Sequence, residues 1–124
     1  MPFLTPKCLA VDDDPLSLKL AQAACLKLKI DFKAVSDVNA MIDVLRTDMF
    51  DLILLDNDIA GVRGHQVLDY AKTDISGTTK IIVYSSSVNA ADKFAYEPFK
   101  VVEFLQKPLS VDANTFAVRK ALQL

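Results

Sequence analysis

Asp12 and Asp13 close one short apolar run of this chain, Asp56 closes a second, Ser85 a third and Lys107 a fourth. Three carboxylates, a hydroxyl and an ammonium do chemistry together only if the fold gathers them. Two like charges ~4 Å apart repel by about 1 kcal/mol in bulk water and by about 4 kcal/mol at an effective dielectric of 20. A site holding all three acids therefore needs a counter-charge, and Lys107 alone cannot neutralise them. The other reactive residue types offer less. His65 is the single histidine, which excludes a site built on several imidazoles. Cys8 and Cys25 fit no metal-ligand or redox spacing, and buried free cysteines pack as small hydrophobes.

The elements that must position these groups alternate. Lys7–Val11 is short and apolar and ends in three aspartates, which suits a buried strand. Asp14 as N-cap and Pro15 at the first helical position then open a helix, with Leu16, Leu18, Leu20, Ala21, Ala24, Cys25 and Leu28 as its apolar face. Asp31–Val35 reads as a strand, and Ser36 or Asp37 caps a helix carrying Ala40, Met41, Val44 and Leu45. Leu52–Leu55 is continuously apolar, as a central strand covered on both faces must be, and ends at Asp56. A loop with Gly61 and Gly64 leads to a helix near His65–Lys72 and a strand over Lys80–Tyr84. A helix around Ala90–Tyr96 stops before Pro98, Val101–Gln106 is the fifth strand, and Ser110 caps a last helix to about Leu122. Five strands alternating with five helices predict an open, parallel α/β sheet with helices on both faces. All carboxyl ends of such strands share one edge, where ligands bind at the topological switch point.

Composition sets the outer bounds. The chain has 124 residues, 52% apolar and 24% charged, which predicts one globular domain over residues 1–124 with no output domain beside it. A formal net charge of −2 with scattered lysines builds no basic face, so direct nucleic-acid binding is not expected. No apolar stretch approaches the ~18–20 residues of a membrane span. Met1–Lys7 lacks the basic and apolar regions of a signal peptide, so a cytoplasmic location is expected, without membrane insertion.

Four motifs in order now carry a resemblance: Ala10-Val11-Asp12-Asp13-Asp14-Pro15, Asp51-Leu52-Ile53-Leu54-Leu55-Asp56, Ile81-Ile82-Val83-Tyr84-Ser85 and Phe104-Leu105-Gln106-Lys107-Pro108. Their spacing is 43 positions from Asp13 to Asp56, 29 on to Ser85 and 22 on to Lys107. Over essentially its whole length the chain resembles the receiver domain of two-component response regulators, a flavodoxin-like (βα)5 fold. The resemblance implies that Asp56 is the phosphoacceptor, taking a phosphoryl group from a phosphohistidine donor or a small acyl phosphate. It implies Mg²⁺ (or Mn²⁺) held by Asp13, Asp56 and the backbone carbonyl of Asp58, with Asp12 acting mostly through water. Oxygen ligands and retained waters are what Mg²⁺ prefers. Lys107 would pair with one phosphoryl oxygen and Ser85 would move inward to bond another. Phe104 stands at the aromatic switch position, and Lys107-Pro108 at a cis peptide that fixes the lysine's direction. The implied partners are a sensor histidine kinase or histidine phosphotransfer protein and a downstream protein. The latter would meet the surface formed by the fourth helix, fifth strand and fifth helix. Such a protein is a switch and not an enzyme with turnover, beyond catalysing its own phosphorylation and dephosphorylation.

Several positions depart from the pattern. The family commonly has proline four residues after the phosphoacceptor, and here that residue is Ala60, which implies a less rigid loop. Asp58 adds a negative charge two residues after Asp56, at a variable position whose partner, two past Ser85, is Ser87. Lys100-Val101 replaces a small Gly-Ala pair before the fifth strand. His65 is expected on the surface. Two other functions compete. Asp56-Asn57-Asp58 resembles the DxD of haloacid-dehalogenase-type phosphohydrolases, but their second acidic pair follows the lysine, and none follows Lys107. The other is a degenerate receiver that acts as a phosphorylation-independent interaction module.

Overall fold

The computed structural model describes residues 5–86, 90–107 and 109–124, with the side chains of residues 90–92 left aside. Ser87 and the Lys107-Pro108 peptide, both singled out above, lie outside the described residues. The strands are β1 (Lys7–Val11), β2 (Asp31–Val35), β3 (Leu52–Asp56), β4 (Asp58–Ile59), β5 (Val62–Arg63), β6 (Lys80–Ser85) and β7 (Val101–Gln106). The helices are α1 (Pro15–Leu28), α2 (Val38–Thr47), α3 (Gly64–Ala71), α4 (Ala90–Ala95) and α5 (Val111–Leu122). Five strands form one parallel sheet, as expected, and their order is β2-β1-β3-β6-β7. The fifth strand of the sequence reading is thus β7. The difference is the antiparallel hairpin β4–β5 between Asp56 and α3, whose two-residue strands are too short to leave a periodic signal.

Local chemistry starts each helix where the chain leaves the sheet. Asp14 accepts the Leu16 amide at 3.1 Å and the Ser17 hydroxyl at 3.0 Å, and Pro15 follows at the first helical position. Asp37 takes the Ala40 amide at 2.7 Å and Ser110 the Ala113 amide at 3.0 Å. Each satisfies a backbone donor that the first helical turn leaves unpaired. Lys29 ends α1 in the left-handed region (φ 58°), where its amide and that of Ile30 reach back to the carbonyls of Leu26 and Cys25.

The core lies in two layers, one on each face of the sheet. Leu9, Val11, Ile53, Leu55, Ile81 and Val83 point to the side covered by α2 and α3, with Met41, Leu45, Val67 and Leu68 packed over them. Cys8, Ala10, Leu52, Leu54 and Ile82 point to the side of α1 and α5, against Ala21, Cys25, Ala117 and Val118. Both cysteines are therefore buried core residues. Every residue of β3 is buried, which is why its sequence shows no polar alternation. One expected core residue is not there. Leu16 is 62% exposed.

Candidate functional site

Register places the polar groups. Val11 pairs with Leu55, so Asp12 and Asp56, each one residue further on, end adjacent strands at the same height. Asp56 pairs with Tyr84 and Ser85 with Gln106, so Ser85 and Lys107 follow one step beyond. Parallel neighbours lie ≈ 4.8 Å apart. One carboxylate oxygen from each of Asp12, Asp13 and Asp56 accordingly falls within 4.8 Å of the others. The cluster straddles β1 and β3, whose connections run to opposite sides, which is the switch point of this sheet.

Lys107 crosses to this cluster from the far edge strand. Its Nζ stands 2.7 Å from Asp12 Oδ2 and 3.5 Å from Asp56 Oδ2, and its amide donates to the Ser85 carbonyl at 2.8 Å. Burial opposes its charge, but the hydrogen bond to Asp12 and the fields of Asp12 and Asp56 outweigh that and hold the ammonium above its ordinary pKa. Backbone amides serve each acid as well. Asp14 N–H donates to Asp12 Oδ1 at 2.9 Å, Ala60 N–H to Asp13 Oδ2 at 3.0 Å, and Asp58 N–H to Asp56 Oδ1 at 3.2 Å. The Asp58 carboxylate turns back to the Gly61 amide at 2.9 Å, so its side chain closes its own turn. Ser85 is buried at the end of β6.

Asp56 is the strained member. Burial first, and Asp12 second, push its carboxyl up to about 6. Because this lies above the ~3.9 of an unfolded aspartate, the folded chain holds more protons than the unfolded one between those values. Stability of the metal-free protein therefore falls as pH rises from about 4 to about 7, by on the order of 1 kcal/mol once solvent screening is allowed for. Asp14 and Asp48, held below the usual carboxylate range by Ser17 and Lys33 respectively, act with the opposite sign, and only below about pH 5. Denaturant midpoints in a chelator at pH 5 and pH 7.5 should show the loss. Asp56→Asn should remove it, and an equal slope in that variant would refute the assignment.

A second group supports the site from behind, and sequence reasoning did not find it. Tyr96, just past α4, is 1% exposed and donates its hydroxyl to Asn57 Oδ1 at 2.5 Å. Its ring meets His65 edge-on at 5.7 Å and Phe104 at 5.5 Å. His65 is thus half-buried where a surface position was expected. Phe104 is half-buried too, with Lys93 Nζ 5.6 Å above its ring. Gly64 belongs to this cluster, since a Cβ there would overlap the Tyr96 hydroxyl and come within 3.0 Å of the Asp56 carbonyl oxygen. The glycine was the available signal, but the residue it makes room for lies 32 positions away.

The comparisons fit this geometry. The family model for the response regulator receiver domain matches residues 8–119. The chain belongs to this family. Receiver domains are signalling modules of two-component systems and bind Mg²⁺ through acidic residues, the residue type clustered here. Among curated proteins, the sensor histidine kinase GacS of Pseudomonas protegens is 28% identical over 109 residues, which cover 85% of this chain. The chain spans only 12% of that relative's length, so the likeness concerns a receiver region of the kinase. A CheY-like receiver domain protein of Methanospirillum hungatei superposes with a TM-score of 0.85 at 16% identity, covering 97% of this chain and 95% of that one. A response regulator from Thermotoga maritima gives 0.83 at 20% identity, covering 98% and 100%. Among the described residues no helix is long and apolar enough to cross a membrane.

Proposed function

We propose that this receiver accepts a phosphoryl group on Asp56 and switches the surface formed by α4, β7 and α5. One observation carries the reading: three carboxylates converge within 4.8 Å beside an ammonium at the β1/β3 switch point. So much like charge at one strand edge favours a bound cation, which would offset the repulsion among the carboxylates. The donor set of Asp12, Asp13 and Asp56 is all oxygen and would hold Mg²⁺ or Mn²⁺, and the resemblance to receivers would add the Asp58 carbonyl as a further ligand. When bound, the cation supplies charge neutralisation for the carboxylates and the incoming phosphoryl oxygens.

The chain's own groups supply the rest. A carboxylate is a weak nucleophile, so positioning and electrostatics must do most of the work. With its carboxyl at about 6, Asp56 is largely ionised at pH 7 and above, and an oxygen lone pair is free to attack. The new bond joins Asp56 oxygen to phosphorus. The phosphorus–nitrogen bond of a phosphohistidine, or the phosphorus–oxygen bond of an acyl phosphate, breaks and its electron pair leaves with the donor. Lys107, already 3.5 Å from Asp56, exchanges its carboxylate contacts for a phosphoryl oxygen, and the Ser85 hydroxyl donates to another. Movement of Ser85 and Phe104 then changes the outer surface that a protein partner reads. The donor is a sensor histidine kinase or a histidine phosphotransfer protein, and the setting is cytoplasmic. Nothing in this cycle requires turnover on an outside substrate.

Intact mass after incubation with acetyl phosphate and Mg²⁺ tests the reading. One added phosphoryl group is expected, absent in Asp56→Asn and absent in a chelator. If the parent chain gains no phosphoryl group and also fails to bind beryllofluoride, the degenerate-module reading replaces this one. Continuous release of phosphate from a phosphate ester would instead support the hydrolase reading.

A further inference from the structure

The loop after Asp56 departs from the family pattern at Ala60, and the structure shows what the departure does. Ile59 and Val62 pair across a two-residue turn, with Ala60 at φ 52° and Gly61 at φ 86°. Two successive left-handed residues are the signature of a type I′ hairpin turn. Proline, the residue common at this position, has φ locked near −65° and cannot enter that turn. It also has no amide hydrogen. In this chain that hydrogen is used: Ala60 N–H donates to Asp13 Oδ2 at 3.0 Å.

That bond matters because Asp13 has so little else. Asp12 is held by Lys107 and by the Asp14 amide, and Asp56 by Lys107 and the Asp58 amide. Asp13 is exposed, and among the described residues the Ala60 amide is its one hydrogen-bond donor. An exposed carboxylate without a partner samples several rotamers, and ordering it on a cation costs entropy. Occupying Oδ2 leaves Oδ1 available to a cation and sets the plane of the carboxylate. Hydrogen bonds of this kind, which orient metal-binding side chains, are worth roughly 10–100-fold in metal affinity.

We propose that Ala60 is a positioning residue whose amide, presented by the type I′ turn, holds Asp13 in the orientation that binds the cation. This rests on the reading of Asp12, Asp13 and Asp56 as cation ligands. Mg²⁺ alone, titrated calorimetrically into the parent chain, Ala60→Gly and Ala60→Pro, tests it. Ala60→Gly keeps the amide and suits a positive φ, so its affinity should match the parent's. Ala60→Pro should bind about tenfold more weakly. Equal or tighter binding by Ala60→Pro in a parent chain that does bind overturns the proposal alone. No saturable binding by the parent overturns the cation reading and the proposal with it.

Amide exchange gives a second arm should Ala60→Pro not fold. The Ala60 amide should lose its protection in Asp13→Ala, while the Gly61 amide, bonded to Asp58, keeps its own. Unchanged protection of Ala60 in Asp13→Ala would count against the proposal.

Discussion

Lys107→Met is expected to destabilise the metal-free receiver by about 3 kcal/mol and to enlarge the stabilisation that Mg²⁺ provides. The Lys107 side chain is 18% exposed, while those of Asp12 and Asp56 are 6% and 10% exposed. Removing the ammonium leaves two largely buried carboxylates facing each other with no described cation between them. Breaking one side of a buried ion pair typically costs 3–5 kcal/mol, and the lower end applies because this site opens to solvent at the strand edge. Methionine keeps the aliphatic stem, so the loss reports charge and not packing. Asp12→Asn in the same background should recover a large part of it, since the repulsion that remains is then between fewer charges. A bound cation replaces the missing positive charge, so the melting temperature of Lys107→Met should rise more with Mg²⁺ than that of the parent. A loss below about 1 kcal/mol in a chelator at pH 7 would mean that Lys107 is not the counter-ion of this cluster.

Gly64→Ala is expected to cost about 1–3 kcal/mol, and Tyr96→Phe to recover part of that cost. The clash falls on two rigid groups: the Tyr96 hydroxyl, and the Asp56 carbonyl oxygen 3.0 Å from the added carbon. Tyr96 cannot retreat cheaply, because it is 1% exposed and its ring is packed edge-on by His65 and Phe104. Removing the hydroxyl opens the tightest contact but leaves the ring 3.2 Å away at Cζ, so recovery is incomplete. The double-mutant cycle should therefore show a coupling of about 1 kcal/mol by denaturant unfolding. Strict additivity would show that Tyr96 does not occupy the space behind Gly64. The same pair bears on signalling, because Tyr96 lies between Asn57, the neighbour of Asp56, and Phe104, the expected switch residue.

The sequence by itself determined which groups end their strands at one edge of the sheet. Four apolar runs ending in Asp12, Asp56, Ser85 and Lys107 specify a parallel sheet, and a parallel sheet must carry all its carboxyl ends on one edge. Burial of β3 on both faces was legible for the same reason, as were the caps at Asp14 and Ser110, because each depends on residues within a few positions, while the choice of Asp37 over Ser36 came from the structure. Only the tertiary structure decided what those groups touch. Lys107 meets Asp12 at 2.7 Å across 95 positions, and Tyr96 reaches Asn57 across 39, contacts that no local pattern encodes. Ala60-Gly61 lacks the Asn-Gly or Asp-Gly signal of a type I′ turn, so the hairpin and its amide toward Asp13 went unseen until the chain was folded. What the loop lost with the family's proline was expected to be rigidity. Only the folded chain shows the hydrogen bond from Ala60 to Asp13, which alanine can make because it has the amide hydrogen and the freedom in φ that proline lacks.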